Sequence, residues 1–150
     1  LSLVGSEMCI RDRYLSDMGL FTYQGGLNAK NFILDKTNAF SGIYFENYIS
    51  TELVARDIKL FYWKGKRDSE LEFIIDLDSK IIPIDVKKGR GALNSLNEFR
   101  YHNKKELAIK VSKNQYGYNK DEQILTIPFY YLAFMLNDIK ENNELEFSID

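Results

Sequence analysis

The chain has one cysteine and one histidine in 150 residues. A lone cysteine excludes a disulfide framework and a cysteine-built zinc site. A lone histidine excludes any mechanism that needs two imidazoles. Two prolines and nine glycines exclude collagenous, proline-rich or linker-like material. No stretch reaches the roughly 20 apolar residues of a membrane span. The longest, within residues 127–136, suits a core helix. No basic start precedes an apolar run, so a secretory signal is excluded and the cytoplasm is the expected compartment. A net charge of −2 gives no general attraction to nucleic acid, which would need a local basic patch. The phosphate-loop pattern G-x-x-x-x-G-K-[ST] does not occur, so no ATP site is expected in this chain. What is present suits one domain of ordinary size. Apolar residues reach 45% and charged residues 28%, enough to bury a core without compositional disorder. Aromatics at 14% favour strands and dense packing.

Residues 1–13 stand apart. The run Met8-Cys9-Ile10-Arg11-Asp12-Arg13 resembles a translated sequencing-adapter end. The segment is therefore expected to be an artefactual leader, a genuine short tail being the alternative, and Cys9 then carries no chemistry. The domain is expected over residues 14–137, with a polar, acidic tail at 138–150.

Along the domain, residues 14–16 read as an extended piece and 19–23 as a short helix stopped by Gly25-Gly26. Ser41 suits the cap of a helix reaching about Arg56, whose Ile43, Phe45, Tyr48, Ile49, Leu53 and Val54 recur at helical spacing. Strands are expected at 59–63, 70–76 and 81–87, a helix at 93–103, a strand at 107–112, a polar loop at 114–122 and a short strand at 124–127. Pro128 is expected to open a helix over 129–136. The order helix–strand–strand–strand–helix–strand gives an α/β fold. An antiparallel meander leads into a strand–helix–strand crossover and a parallel pair, making a mixed sheet flanked by helices.

The central hairpin sets the chemistry. With the turn at Asp78-Ser79, Leu77 faces Lys80 and every later pair sums to 157. Glu72 then lies opposite Asp85, and Glu70 opposite Lys87. Alternation sends Leu71, Phe73, Ile75, Leu77, Ile82, Ile84 and Val86 to a buried face, and Glu70, Glu72, Asp76, Asp85 and Lys87 to a polar one with Ile74, Ile81 and Pro83. Two facing carboxylates repel. Lys87, water or a hard cation such as Mg2+ or Mn2+ would offset this, and that combination suits metal-assisted phosphodiester hydrolysis. The simpler reading is an ordinary polar face of an amphipathic hairpin. Tyr62 and Trp63 with Lys64, Lys66 and Arg67 would stack on and neutralise a nucleic-acid strand, or form a core strand followed by a solvated turn. Lys88 and Arg90 add positive charge near the acids. His102 reads as a surface or half-buried histidine rather than a catalytic one.

The helix acid, the strand acid and the acid-x-Lys together resemble the PD-(D/E)XK nuclease-like superfamily. More closely, the chain resembles the C-terminal domain of unknown function of a family of prokaryotic AAA-type ATPases. The motifs are Tyr14-Leu15-Ser16-Asp17-Met18-Gly19-Leu20, Gly42-Ile43-Tyr44-Phe45-Glu46-Asn47-Tyr48, Tyr62-Trp63-Lys64, Glu70-Leu71-Glu72-Phe73, Pro83-Ile84-Asp85-Val86-Lys87 and Ile127-Pro128-Phe129-Tyr130-Tyr131-Leu132. The resemblance implies a restriction-endonuclease-like core, an upstream ATPase module as partner, and DNA as substrate. It implies Glu46, Glu72 and Asp85 as ligands of Mg2+ or Mn2+, and Glu72, Asp85 and Lys87 as catalytic residues. Here the strand acids are exchanged relative to the common order of Asp then Glu. The competing expectation is a catalytically silent module that recognises nucleic acid or a partner for the ATPase.

Overall fold

A computed structural model describes residues 14–26, 40–66, 69–77, 80–87, 92–103, 106–113 and 115–142. The expected leader 1–13, residues 27–39, the turn Asp78-Ser79, and Arg67, Lys88, Gly89, Arg90 and Gly91 lie outside the described residues. Among the described residues no helix is long and apolar enough to cross a membrane.

The elements are α1 (Met18–Gln24), α2 (Phe40–Val54), β1 (Phe61–Lys64), β2 (Glu70–Leu77), β3 (Lys80–Val86), α3 (Asn94–His102), β4 (Ala108–Ser112), β5 (Gly117–Asn119), β6 (Ile124–Pro128), a 3-10 turn (Phe129–Tyr131) and α4 (Leu132–Asn142). The strands form one six-stranded sheet in the order β1-β2-β3-β4-β6-β5. β1, β2 and β3 are antiparallel neighbours. β3, β4 and β6 run parallel, and β5 returns antiparallel to β6. The fold is a mixed α/β sheet flanked by helices, in the element order the sequence implies except for β5.

β5 corrects the expected polar loop at 114–122. It carries a single core contact, the half-buried Tyr118, which is too little apolar pattern to read as a strand. Its turn is held by Asn119 Oδ1, which accepts the Asp121 and Glu122 N–H groups at 3.1 Å each. Pro128 closes β6 opposite Ser112 and leads into the 3-10 turn rather than opening the helix directly. α4 runs past the expected end at Leu136 to Asn142 and buries Ile139.

α2 ends by a defined device. The Ile58 N–H reaches back to the Leu53 carbonyl and the Asp57 N–H to that of Val54, each at 3.0 Å. Asp57 sits at φ 59°, the left-handed cap that a short polar side chain tolerates. Ile58 then packs against the core that contains Leu53. This reversal aims the chain into β1.

Both faces of the sheet are covered. Ile49 and Leu53 of α2 and Leu132, Met135 and Leu136 of α4 pack on Phe73, Ile75, Ile82, Ile84, Ile109, Val111, Leu125 and Ile127. On the other face Leu96 and Phe99 of α3 pack on Leu71, Ile74, Ala108 and Ile124. The face expected to be polar is therefore partly a second core. The reason is the crossover helix, which a parallel connection must lay on one side of the sheet.

Leu71 also changes sides. The β1–β2 ladder pairs Phe61 with Ile74 but Trp63 with Leu71, a β-bulge that sets two β2 residues, Glu72 and Phe73, against the single Tyr62 on β1. The extra residue inverts the alternation, so Leu71 joins Ile74 and Trp63 instead of Phe73. On α2, the buried Asn47 clamps the chain before α1. Its carbonyl oxygen accepts the Leu15 N–H at 2.8 Å and its amide donates to the Leu15 carbonyl at 2.9 Å.

Candidate active site

The hairpin register falls where the turn arithmetic puts it. Leu77 pairs with Lys80, Asp76 with Ile81, Ile75 with Ile82, Ile74 with Pro83 and Phe73 with Ile84. The next residues outward are Glu72 and Asp85, at the point where the bulge begins on β2.

Asp85 lies between Ile84 and Val86, which serve the main core, so alternation sends its side chain to the α3 side of the sheet. Only 2% of the residue is exposed. The expectation of a solvated polar face is corrected at this position, which lies on the side of the sheet that α3 covers. Lys87 Nζ stands 3.2 Å from Asp85 Oδ1. Asp85 Oδ2 is buried and has no hydrogen-bond partner among the described residues. Burial pushes the Asp85 carboxyl above its usual range. The charge and hydrogen bond of Lys87, and then the charge of Lys110, pull it back down. Lys110 faces Asp85 across the parallel β3–β4 ladder.

Glu72 is pushed further, from 4.5 to about 7. Its burial is the largest cause, opposed by its own backbone N–H. The negative charges of Glu46 and Asp85 raise it, and Lys87 lowers it. Glu46 comes from α2, half-buried, three residues before the fully buried Ile49. A Cβ at Gly42, one turn earlier, would come no closer than 3.8 Å to a Glu46 carboxylate oxygen. Glu46, Asp85 and Lys87 thus all act on Glu72. These are the four groups named by the helix-acid, strand-acid and acid-x-Lys pattern.

As the side chains stand, no three His, Cys, Asp or Glu groups among the described residues form a cluster that could hold a metal ion. Glu46, Glu72 and Asp85 therefore do not close a three-ligand cage. A magnesium-type site needs less. It takes one or two carboxylates and keeps several waters or phosphate oxygens. The unpartnered Asp85 Oδ2 and the raised Glu72 carboxyl supply two hard oxygen donors of that kind.

Sequence reasoning did not single out Lys110. The signal was available in the alternation of Lys110 with the core residues Ile109 and Val111, but its use depended on knowing the β3–β4 register.

Of the expected nucleic-acid residues, Lys64 and Lys66 lie among the described residues. Lys64 is exposed at the end of β1, opposite Glu70. The Lys66 backbone N–H donates to Glu98 Oε1 at 3.1 Å, which ties that turn to α3. Trp63 meets Phe99 edge to face at 5.4 Å between ring centres, so its ring serves the second core rather than an open stacking platform. Tyr62 hydroxyl donates to Glu70 Oε2 at 2.8 Å. His102 is exposed beside Tyr101.

Gly65 is part of this arrangement. A Cβ there would lie 2.3 Å from the nearest Trp63 ring carbon, and Phe99 blocks the ring's retreat. Gly65→Ala is expected to cost about 1–3 kcal/mol, read by chemical denaturation, with a red shift of the single tryptophan's emission. Unchanged stability and emission would show that the indole is free to move.

With the geometry in place, the match to known families can be read. A profile described as Domain of unknown function (DUF4143) matches residues 41–131, more than half of the chain. The chain belongs to that family. The DUF4143 segment runs from α2 through the 3-10 turn, so it contains Glu46, Glu72, Asp85, Lys87 and Lys110 and excludes α1 and α4. Membership of a family of unknown function agrees with the resemblance drawn from the motifs. No curated protein and no solved structure matches the chain.

Proposed function

We propose that this DUF4143 domain is a nuclease-like domain of the PD-(D/E)XK type, with a restriction-endonuclease-like core, that hydrolyses phosphodiester bonds in DNA with Mg2+ or Mn2+. The observation that carries the reading is the buried Asp85 carboxylate with Lys87 Nζ at 3.2 Å, beside the half-buried Glu72, whose carboxyl is raised by burial and by the charges of Glu46 and Asp85. Perturbed carboxylates gathered beside a lysine are the usual mark of a site tuned for chemistry.

Asp85 and Glu72 would hold the cation, with Glu46 adding negative charge behind Glu72. The bound cation would supply Lewis-acid stabilisation of the phosphate and a more acidic water. Lys87 would orient that water and balance charge on the scissile phosphate. Lys110, on the other side of Asp85, would keep its carboxylate ionised. As in the resembling family, an AAA-type ATPase module is proposed to precede the domain in the natural protein and to deliver the substrate.

Cleavage of single-stranded, duplex and branched DNA in Mn2+ tests this, on the chain alone and joined to the ATPase module. Lys87→Ala and Asp85→Asn are each expected to lower the rate at least about a hundredfold, as for loss of one catalytic group. Activity surviving both substitutions would remove the site from the reaction. A second reading, a silent module that recognises DNA or a partner for the ATPase, is favoured by one observation. Asp85 is closed off from solvent and already engaged by Lys87. Wild-type protein that binds DNA and cleaves none of the three substrates would establish that reading instead.

A further inference from the structure

A separate pocket of about 430 Å3 opens where α3 meets the β5–β6 turn. Its size is in the range of small-molecule sites. Leu93, Tyr101 and Ile124 give it apolar walls, and Asn97 lies at its side. Arg100 lines it with a side chain only 3% exposed.

The state of Arg100 is unusual. A buried guanidinium needs acceptors for its donors and a nearby negative charge. One terminal nitrogen donates to the Glu122 carbonyl. The other stands 3.9 Å from Glu122 Oε2, too long for a hydrogen bond. Nε has no partner among the described residues. Among the described residues, the counter-charge lining the pocket is thus a carboxylate that is 48% exposed and only loosely engaged. Its backbone is held firmly, because Asn119 fixes the turn that carries it.

We propose that this pocket binds a small organic monocarboxylate, whose carboxylate replaces that of Glu122 beside Arg100 while its apolar body rests on Leu93, Ile124 and the exposed Tyr101 ring. Glu122 is the resident stand-in and swings to solvent when the ligand enters. Arg100 shifts so that its Nε–H donates to the incoming oxygen. One positive charge then faces one negative charge. Among the described residues, Arg100 and Glu122 are the charged residues of the lining, and one such positive charge matches a monocarboxylate better than a dianionic phosphate. The site lies on α3 and the β5–β6 turn, and does not depend on the nuclease reading.

The probe is benzoate, with benzamide as the neutral isostere and inorganic phosphate as the competing anion, titrated into isotope-labelled protein and followed by amide NMR shifts. Benzoate is expected to move the Asn97, Tyr101 and Ile124 signals saturably, with a Kd of about 1 mM for so small a ligand. Benzamide should bind at least about tenfold more weakly, having lost the charged partner of Arg100. Glu122→Gln removes the competitor and is expected to tighten benzoate about threefold or more. Arg100→Gln should abolish the benzoate preference, and Glu122→Gln decides the matter if that variant fails to fold. Equal shifts by benzoate and benzamide, saturation by phosphate alone, or weaker benzoate binding in Glu122→Gln would each overturn the proposal.

Discussion

Lys87→Ala is expected to destabilise the domain by about 2 kcal/mol at pH 8 and to leave its stability nearly unchanged at pH 4. The effect comes from Asp85. Its carboxylate is buried, and Lys87 is its ion-pair partner at 3.2 Å. Removing one partner of a buried pair leaves an uncompensated charge, which costs about 3–5 kcal/mol when the pair is fully enclosed. Lys87 is 36% exposed and Lys110 still faces Asp85, so the lower value applies. The pH dependence follows from linkage. Burial already holds the folded-state Asp85 carboxyl above its unfolded value, and Lys87 is what pulls it down. Without the lysine it rises further. Over the pH window between the unfolded value, about 3.9, and the raised folded one, the folded state binds more protons. Stability therefore falls as pH rises through that window. Below it both states are protonated and the lysine has little to stabilise. Adding Asp85→Asn to Lys87→Ala should restore most of the loss at pH 8. Urea unfolding at the two pH values reads the wild type and both variants. A loss of equal size at pH 4 and pH 8 would mean that Lys87 acts through its hydrocarbon stem, not through the Asp85 charge.

The parts of this fold that rest on local pattern were legible in the sequence. The hairpin register from Leu77–Lys80 to Phe73–Ile84 followed from the turn position and the period of two. The parallel β3–β4 pair followed from the strand–helix–strand order. Three features depended on long-range geometry and were not. The bulge that turns Leu71 toward α3 is set by pairing with β1, which the β2 sequence does not encode. The burial of Asp85 depends on where the crossover helix settles. β5 is held by its turn and by β6, with almost no apolar pattern of its own.

The site divides the same way. The hairpin pairing named Glu72, Asp85 and Lys87, and the family resemblance added Glu46. What placed Glu46 near the hairpin is the packing of Ile49 and Leu53 against Phe73 and Ile84, a tertiary contact. Arg100 and Lys110 escaped notice because each became significant only through a neighbour distant in sequence, Glu122 for one and Asp85 for the other. Charged residues that alternate with core positions on central strands are the signal that would have found Lys110.

Glu72→Gln is expected to stabilise the domain above pH 7 and to flatten the fall in stability between about pH 4.5 and pH 7. The folded-state carboxyl is raised to about 7 from 4.5. Below pH 4.5 it is protonated in both states and contributes nothing. Between the two values the folded protein holds a proton that the unfolded chain has released, so stability declines as pH rises. Above pH 7 the carboxylate is ionised in both states, and the folded state carries the full cost of burial and of repulsion from Glu46 and Asp85. A shift of this size corresponds to at most about 3 kcal/mol. Glu72 is partly open to solvent, so about 1–2 kcal/mol is expected after screening. The glutamine keeps the shape and removes the charge. The same measurement separates a metal site from a merely crowded one. A divalent cation held by Glu72 and Asp85 binds the folded state only, so millimolar Mn2+ should raise the wild-type melting temperature at pH 8. It should raise that of Glu72→Gln much less. A wild-type profile already flat between pH 4.5 and pH 7 would show that Glu72 ionises as an ordinary surface acid. Equal protection of both proteins by Mn2+ would place the cation elsewhere.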